Sequence, residues 1–354
     1  MHNVLCLSEM KGMDIEMNDR KTICILGGTG VVGRAAYMVL RNLNYYFKIG
    51  VHNISKVEKE DLYRTDNVEL FEIDLNNFNR IESLCKGIDL VIGAIGPSTR
   101  YSEKMLQLAI KVGTPYVDPG GIHLKRKYRN EELEVLAIVG AGVFPGLSGW
   151  LLHSEIERHE EEYLYEIAIG GEYNFTRGAA IDYAEETKNS ASGIPMACIR
   201  KSTIVAAERM RPTGVPDTIS ELVFLPYVTE EIQEILKNQR MLNIDSYTVA
   251  SDGMFNAMRK LRGKENEIIA YLTQKKYDKQ RAIIWIKKSF PSGNKTVLFE
   301  GNDPGKLTGK ILAISADEIL HRENKKGIYL MANYLSDFSL LDNLKEIEDF
   351  RYER

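Results

Sequence analysis

Thr22-Ile23-Cys24-Ile25-Leu26-Gly27-Gly28-Thr29-Gly30-Val31-Val32-Gly33-Arg34 is the stretch that decides how the chain is read. A short, β-branched apolar run ending in glycine predicts a buried strand over Thr22–Leu26. Arg34–Leu43 then carries Ala35, Val39 and Leu43 at helical spacing. Three glycines, three residues apart, thus lie between a strand and a helix. In that setting Gly27 permits a tight turn, Gly30 lets the backbone approach a pyrophosphate, and Gly33 lets helix pack on strand. Unpaired amides at the helix start bind the phosphates. Gly27, Gly28, Thr29, Gly30, Val31, Val32 and Gly33 are therefore expected to line a dinucleotide.

The alternation continues downstream. Strands are expected at Phe47–Val51, Val68–Ile73, Asp89–Ile95 and Tyr116-Val117, with helices near Val57–Tyr63, Phe78–Lys86 and Glu103–Val112. Regular strand–helix alternation predicts a parallel sheet covered on both faces. After Trp150 the pattern changes. Strand-like runs appear at Tyr165–Gly171, Ser202–Ala206 and Glu221–Phe224. Helices are expected at Arg177–Ser190, Thr229–Lys237 and Gly253–Leu261. Ala282–Lys287 and Lys295–Phe299 flank Pro291-Ser292-Gly293-Asn294 and predict a hairpin with a loop longer than two residues. Leu307–Leu320 reads as a long amphipathic helix.

The fold class that follows is α/β. A Rossmann domain, a doubly wound parallel sheet, holds an inserted α+β domain of mixed sheet. The expected boundaries are an extension over 1–20, the Rossmann domain over 21–147, the insertion over 148–304, and helices returning to the Rossmann domain over 305–354. At 354 residues the chain has room for two cores. A net charge of −4 argues against a strongly cationic nucleic-acid binder. Cys6, Cys24, Cys85 and Cys198 show no paired spacing, so neither a metal site nor a disulfide framework is expected, and a reducing cytoplasm is. Between Glu134 and Glu155 there is no Asp, Glu, Lys or Arg, but Pro145-Gly146 breaks the run. A strand, a turn and a helix start are expected there rather than a membrane span. No basic region followed by an apolar run opens the chain, so no secretory leader is expected.

The end of the second strand sorts nicotinamide cofactors. NAD enzymes place a carboxylate there for the ribose 2′-hydroxyl. Here the stretch is His52-Asn53-Ile54-Ser55-Lys56, with no carboxylate before Glu58. Asn53, Ser55 and Lys56 would welcome a 2′-phosphate, so NADP is the expected cofactor. Asp74 stands after the third strand, either facing the adenine or capping the next helix. Ala94-Ile95-Gly96-Pro97 ends the fourth strand with small residues, over which a cofactor can cross the sheet edge.

Four stretches together resemble the saccharopine dehydrogenase-like reductases. They are Gly27–Gly33, Asp89–Pro97, Gly113-Thr114-Pro115-Tyr116-Val117-Asp118-Pro119-Gly120-Gly121, and Gly142-Val143-Phe144-Pro145-Gly146-Leu147-Ser148-Gly149. The last is similar to the family's Pro-Gly segment, which enters a helix beside the active-site cleft. The resemblance implies a Rossmann domain with an inserted α+β domain and a nicotinamide cofactor. It also implies that Phe144, Pro145, Gly146 and Ser148 face the substrate. The family's saccharopine-forming enzymes carry an acidic residue before the Pro-Gly. Phe144 stands there instead and suits several carboxylates poorly.

Hydride transfer needs a proton donor beside the acceptor. Tyr101, in the loop after the fourth strand, is the first candidate, with Arg100 to bind a substrate carboxylate or lower the phenol's pKa. Asp118 and His123 form a second group, in which Asp118 orients an acidic His123; the alternative is that Asp118 caps its own turn. Ser148, at a helix start, would offer free amides to a substrate carboxylate. The expected function is NADP-dependent reduction of a C=N or C=O bond of a small biosynthetic intermediate. The alternatives are a C=C reductase acting on a carrier-bound or peptide intermediate, and a non-catalytic NADP-binding protein. A homodimer formed through the inserted sheet is expected; no nucleic acid or membrane partner is.

Overall fold

The computed structural model describes residues 20–74, 81–83, 85–156, 163–188, 193–237, 242–323 and 325–354. The polar lead-in, apart from Arg20, and residues 78–80 and 84 of the helix expected at Phe78–Lys86 lie outside those residues.

The first sheet is built from chain segments that are apolar nearly end to end. These are β1 (Thr22–Leu26), β2 (Tyr46–Val51), β3 (Val68–Glu72), β4 (Leu90–Gly93), β5 (Tyr116–Val117) and β6 (Leu136–Val139). β1, β4, β5 and β6 are almost wholly buried, as strands covered on both faces must be. Helices α1 (Val31–Leu40), α2 (Ile54–Val57), α3 (Ser98–Val112) and α4 (Ile122–Lys127) connect them. α5 (Leu147–Glu155) then leads out of β6. The charge-free segment is thus a strand, a turn and a helix. Among the described residues no helix is long and apolar enough to cross a membrane.

The second sheet begins with β7 (Leu164–Glu172), followed by α6 (Arg177–Glu186), β8 (Gly193–Pro195), β9 (Ala197–Arg200), β10 (Thr203–Ala206) and β11 (Val223–Thr229). Next come α7 (Glu230–Leu236), β12 (Asn243–Ala250), α8 (Asp252–Lys260), α9 (Glu265–Gln274), β13 (Arg281–Phe290) and β14 (Gly293–Gly301). α10 (Pro304–His321) returns to lie along α1, and β15 (Gly327–Leu330) and β16 (Arg351–Glu353) follow. The first sheet has the order β15-β6-β5-β4-β1-β2-β3 and is parallel throughout. Its strand order reverses between β1 and β4, which makes their carboxyl ends the switch point. The second runs β10-β9-β12-β7-β13-β14-β16; β12 and β7 are parallel and the other neighbours antiparallel.

Three expectations change. The helix at Val57–Tyr63 is two short pieces, α2 and a single 3-10 turn at Asp61–Tyr63, because Asn53 caps a helix that starts earlier. The β13–β14 loop is a minimal one: Phe290 pairs with Gly293, leaving only Pro291 and Ser292 in the turn. Gly293 and Asn294 carry turn-type side chains but pair as strand, which composition alone could not show. The C-terminal region does not return wholly to the first domain. Its helix α10 and strand β15 do, yet Arg351–Glu353 pairs with β14 at the edge of the second sheet.

Candidate active site

Of the helices that start at the carboxyl edge of the parallel sheet, α1, α3 and α5 each present amides that the helix itself cannot satisfy. α1 follows the glycine turn. Gly27 is at φ +90°, and its amide donates to the Gly50 carbonyl at 3.0 Å. A Cβ on Gly33 would stand 2.4 Å from the Gly27 carbonyl oxygen, so only glycine lets α1 sit this close to the turn. The Tyr63 hydroxyl donates to the Gly28 carbonyl at 2.9 Å and fastens the turn from below. Burial pushes that phenol up to about 12. Arg34 pairs with Glu60 at 2.6 Å. Gly30 is the N-cap of α1; among the described residues no side chain bonds to the first amides of the helix, and its first turn holds no acid. A Cβ on Gly30 would meet nothing closer than 3.4 Å. Among the described residues no carboxylate meets this open, backbone-lined end, which suits a pyrophosphate.

Around it lie the other residues expected at a cofactor. Asn53, Ser55 and Lys56 are exposed just past β2. Asn53 Oδ1 accepts from the Lys56 amide at 3.2 Å, so it caps α2. Asp74 is exposed past β3; the residues it would cap lie outside those described. The Ala94 amide donates to Leu26, holding the β4 end beside the turn, and Ile95 packs against the core. Gly96 lies against Gly178 of α6, and a Cβ added at Gly96 would sit 3.7 Å from the Gly178 Cα. The inserted domain therefore touches the Rossmann domain where β4 ends at Gly96-Pro97.

The other two helix starts are filled from across that contact. The Asp182 carboxylate of α6 accepts from the Ser98 amide at 2.9 Å and from the Thr99 amide at 2.8 Å, so it caps α3. Thr99 Oγ1 adds a third bond to Asp182 at 2.9 Å. The Glu231 carboxylate of α7 accepts from the Gly146 amide at 2.7 Å and from Ser148 Oγ at 2.6 Å, and so caps α5. Burial pushes Glu231 up to about 7, although Ser148, Gly146 and Gly149 all pull the other way. The expectation that Ser148 heads a set of free amides is thus corrected: the protein's own Glu231 occupies them. Neither cap has a sequence signal, because each joins positions more than 80 residues apart.

Arg100 is also engaged. Its Nε donates to Glu185 of α6 at 2.7 Å, so it braces the domain contact and is not free to receive a substrate carboxylate. The Tyr101 ring packs on the main core with Lys104 over its face, and its hydroxyl makes no hydrogen bond among the described residues. Asp118 and His123 do not pair. Asp118 is buried and accepts from the Tyr116 hydroxyl and, at 2.6 Å, from the Gly120 amide, the turn-capping arrangement. Burial pushes it up to about 6. His123 is half-buried without a hydrogen bond among the described residues, and burial pulls its pKa below the usual value. Glu103 and Asp182 oppose that shift, while Arg126 and Lys127 add to it. Phe144, ahead of Pro145, stacks on Tyr173 of the inserted domain with ring centroids 5.9 Å apart. α4 and α7 are tied across the domains by Arg126–Glu230 at 2.7 Å.

This arrangement has relatives. The model of the NmrA-like family matches residues 19–135. No curated protein matches the chain in sequence. Among solved structures, saccharopine dehydrogenase (L-Glu forming) from Saccharomyces cerevisiae superposes with a TM-score of 0.64 at 12% identity, covering 94% of this chain and 100% of that one. Homospermidine synthase from Legionella pneumophila, solved with NAD, superposes with a TM-score of 0.55 at 11% identity, covering 95% of this chain and 91% of that one. The chain therefore has the two-domain fold of saccharopine dehydrogenase, a Rossmann domain carrying a mixed-sheet insertion. The resemblance expected from the four glycine-rich stretches holds at the level of fold.

Proposed function

We propose that this chain is an NADP-dependent reductase that adds hydride to a C=N or C=O bond of a small biosynthetic intermediate. The observation that carries this is the α1 start. Of the starts of α1, α3 and α5, it alone meets no carboxylate among the described residues, and it lies at the switch point of the parallel sheet. The superposed homospermidine synthase was solved with NAD, which supports a dinucleotide at this end. The amides after Gly30 hold the pyrophosphate. Asn53, Ser55 and Lys56, with no carboxylate among them, receive a 2′-phosphate. When bound, the nicotinamide supplies the hydride. The Tyr101 hydroxyl, which has no hydrogen-bond partner among the described residues, gives the proton to the acceptor nitrogen or oxygen. Phe144 and Tyr173 keep water from that side. A conjugated C=C bond is the alternative acceptor, favoured by the same apolar wall.

Calorimetric titration tests the cofactor. NADPH should bind at least about tenfold more tightly than NADH, a difference of about 1.4 kcal/mol. Equal dissociation constants would remove the NADP assignment. A screen of imines, 2-oxo acids and enones by NADPH oxidation then assigns the bond. With the substrate found, Tyr101→Phe should lower kcat by about 10²–10⁴ and leave NADPH affinity unchanged. Near-normal turnover in that variant would pass the proton role to His123.

A further inference from the structure

The inserted domain holds a recess that the hydride chemistry does not explain. It is a small recess of about 50 Å³, partly open to solvent. Its walls include Tyr173, Phe175, Tyr183, Phe255 and Tyr277. Gly170-Gly171 of β7 contributes no side chain. Both glycines have positive φ, and a Cβ on either would come within 2.2 Å of a neighbouring strand's carbonyl oxygen, so this part of the wall must stay bare. Five aromatic rings around one small recess favour a single flat apolar group as guest.

Two connections lead from the recess to the hydride site. The first is a ladder of rings. Phe144 stacks on Tyr173; Tyr173 meets Phe175 at 5.2 Å; Phe175 meets Tyr183 edge-on at 5.9 Å. The second is α6 itself. Gly178 touches Gly96, where β4 ends, and Tyr183 lies five residues further along the same helix, about 7.5 Å by helical rise. Both contacts place the recess on the side of the inserted domain that meets Phe144 and the end of β4.

Polar features define the guest further. The Tyr173 and Tyr183 hydroxyls make no hydrogen bond among the described residues, although both side chains line the recess. Phenols in such places normally find a partner. Lys275 also lines the recess, its ammonium 5.0 Å from the centre of the Tyr277 ring, and it forms no ion pair among the described residues. An unpaired ammonium beside aromatic walls suits an anion carried on an apolar body.

We propose that the recess binds the aromatic end of the substrate, and that the substrate is an aryl-substituted carboxylate whose anionic group is met by Lys275. This rests on the reductase assignment for the location of the reacting bond. Recess binding itself is measured apart from it. The probes are 3-phenylpropanoate and propanoate, titrated by calorimetry into the full-length chain with and without saturating NADP. 3-Phenylpropanoate should bind at least about tenfold more tightly than propanoate, as burial of one ring requires. Ala250→Phe, which fills the recess from β12, should abolish that preference. Lys275→Met, at an exposed position, should weaken 3-phenylpropanoate about tenfold through loss of one charge-assisted contact. Equal binding of the two probes to the wild type would overturn the proposal. So would an undiminished preference in Ala250→Phe, or unchanged 3-phenylpropanoate binding in Lys275→Met. NADPH binding by each variant reports that it is folded; if Ala250→Phe fails there, Lys275→Met decides. Wild-type chain that binds 3-phenylpropanoate but not NADPH would sink the reductase assignment and leave the recess standing.

Discussion

The start of α1 and the starts of α3 and α5 look alike from the backbone. Each follows a segment leaving the carboxyl edge of one parallel sheet, and each exposes a turn of amides. What fills them differs. Asp182 closes α3 and Glu231 closes α5, both reaching over from the inserted domain. Among the described residues no side chain closes α1. A helix start that is anion-binding by construction serves either as a joint or as a ligand site, and the deciding factor is whether a carboxylate from elsewhere in the chain is in reach. In this molecule carboxylates of the inserted domain close α3 and α5, and among the described residues none closes α1.

The comparison can be broken by emptying the closed ends. Glu231→Ala has the largest expected effect. It leaves the Gly146 amide and the Ser148 hydroxyl buried and unpaired, and should cost about 3 kcal/mol in urea unfolding. A loss within about 0.5 kcal/mol would show that α5 does not need the cap. The same joint has a pH signature. In the folded chain Glu231 is raised from 4.5 to about 7 by burial, so the fold favours its neutral form. That contribution is full below the unfolded value of about 4.5 and is lost as pH rises through about 7. Relative to Glu231→Gln, the wild type should therefore lose about 2–3 kcal/mol between pH 5 and pH 8. Parallel stability curves for the two proteins would contradict the raised value.

Asp182→Ala comes next. It frees two amides and a hydroxyl at a partly exposed site, for an expected cost of about 1–2 kcal/mol. Asp182→Asn should recover part of that, since an amide oxygen can still accept from Ser98 and Thr99. An Asn variant no better than Ala would mean the negative charge, rather than the hydrogen bonds, sets the joint.

The difference between open and closed ends also separates what was legible in the sequence from what was not. The open end is local. A strand, Gly27-x-x-Gly30-x-x-Gly33 and a helix follow one another within about twenty residues, so spacing alone places the turn. The missing carboxylate between His52 and Lys56 is local too. The closed ends depend on Asp182 meeting Ser98 and Glu231 meeting Ser148, encounters of segments in different sheets. No periodicity marks Asp182 or Glu231 among the other acids of α6 and α7. For the same reason Arg100 and Ser148 look free in the sequence, and no local pattern marks Tyr63 as the residue that fastens Gly28. Asp118 was legible in part: the Asp-Pro-Gly-Gly turn predicts the bond to Gly120, while its separation from His123 follows from the fold.

The most direct test gives α1 the cap that its neighbours already have. Gly30 is the N-cap, with φ −68° and ψ 164°, a conformation that aspartate adopts readily at this position. NADPH is titrated by calorimetry into the wild-type and Gly30→Asp proteins, and both are unfolded in urea. The open-end account predicts one NADPH site in the wild type, weakened at least about tenfold in Gly30→Asp, with no loss of stability. Wild-type protein that binds no NADPH, or a Gly30→Asp variant that binds it as tightly, would contradict the assignment of this helix start to a dinucleotide.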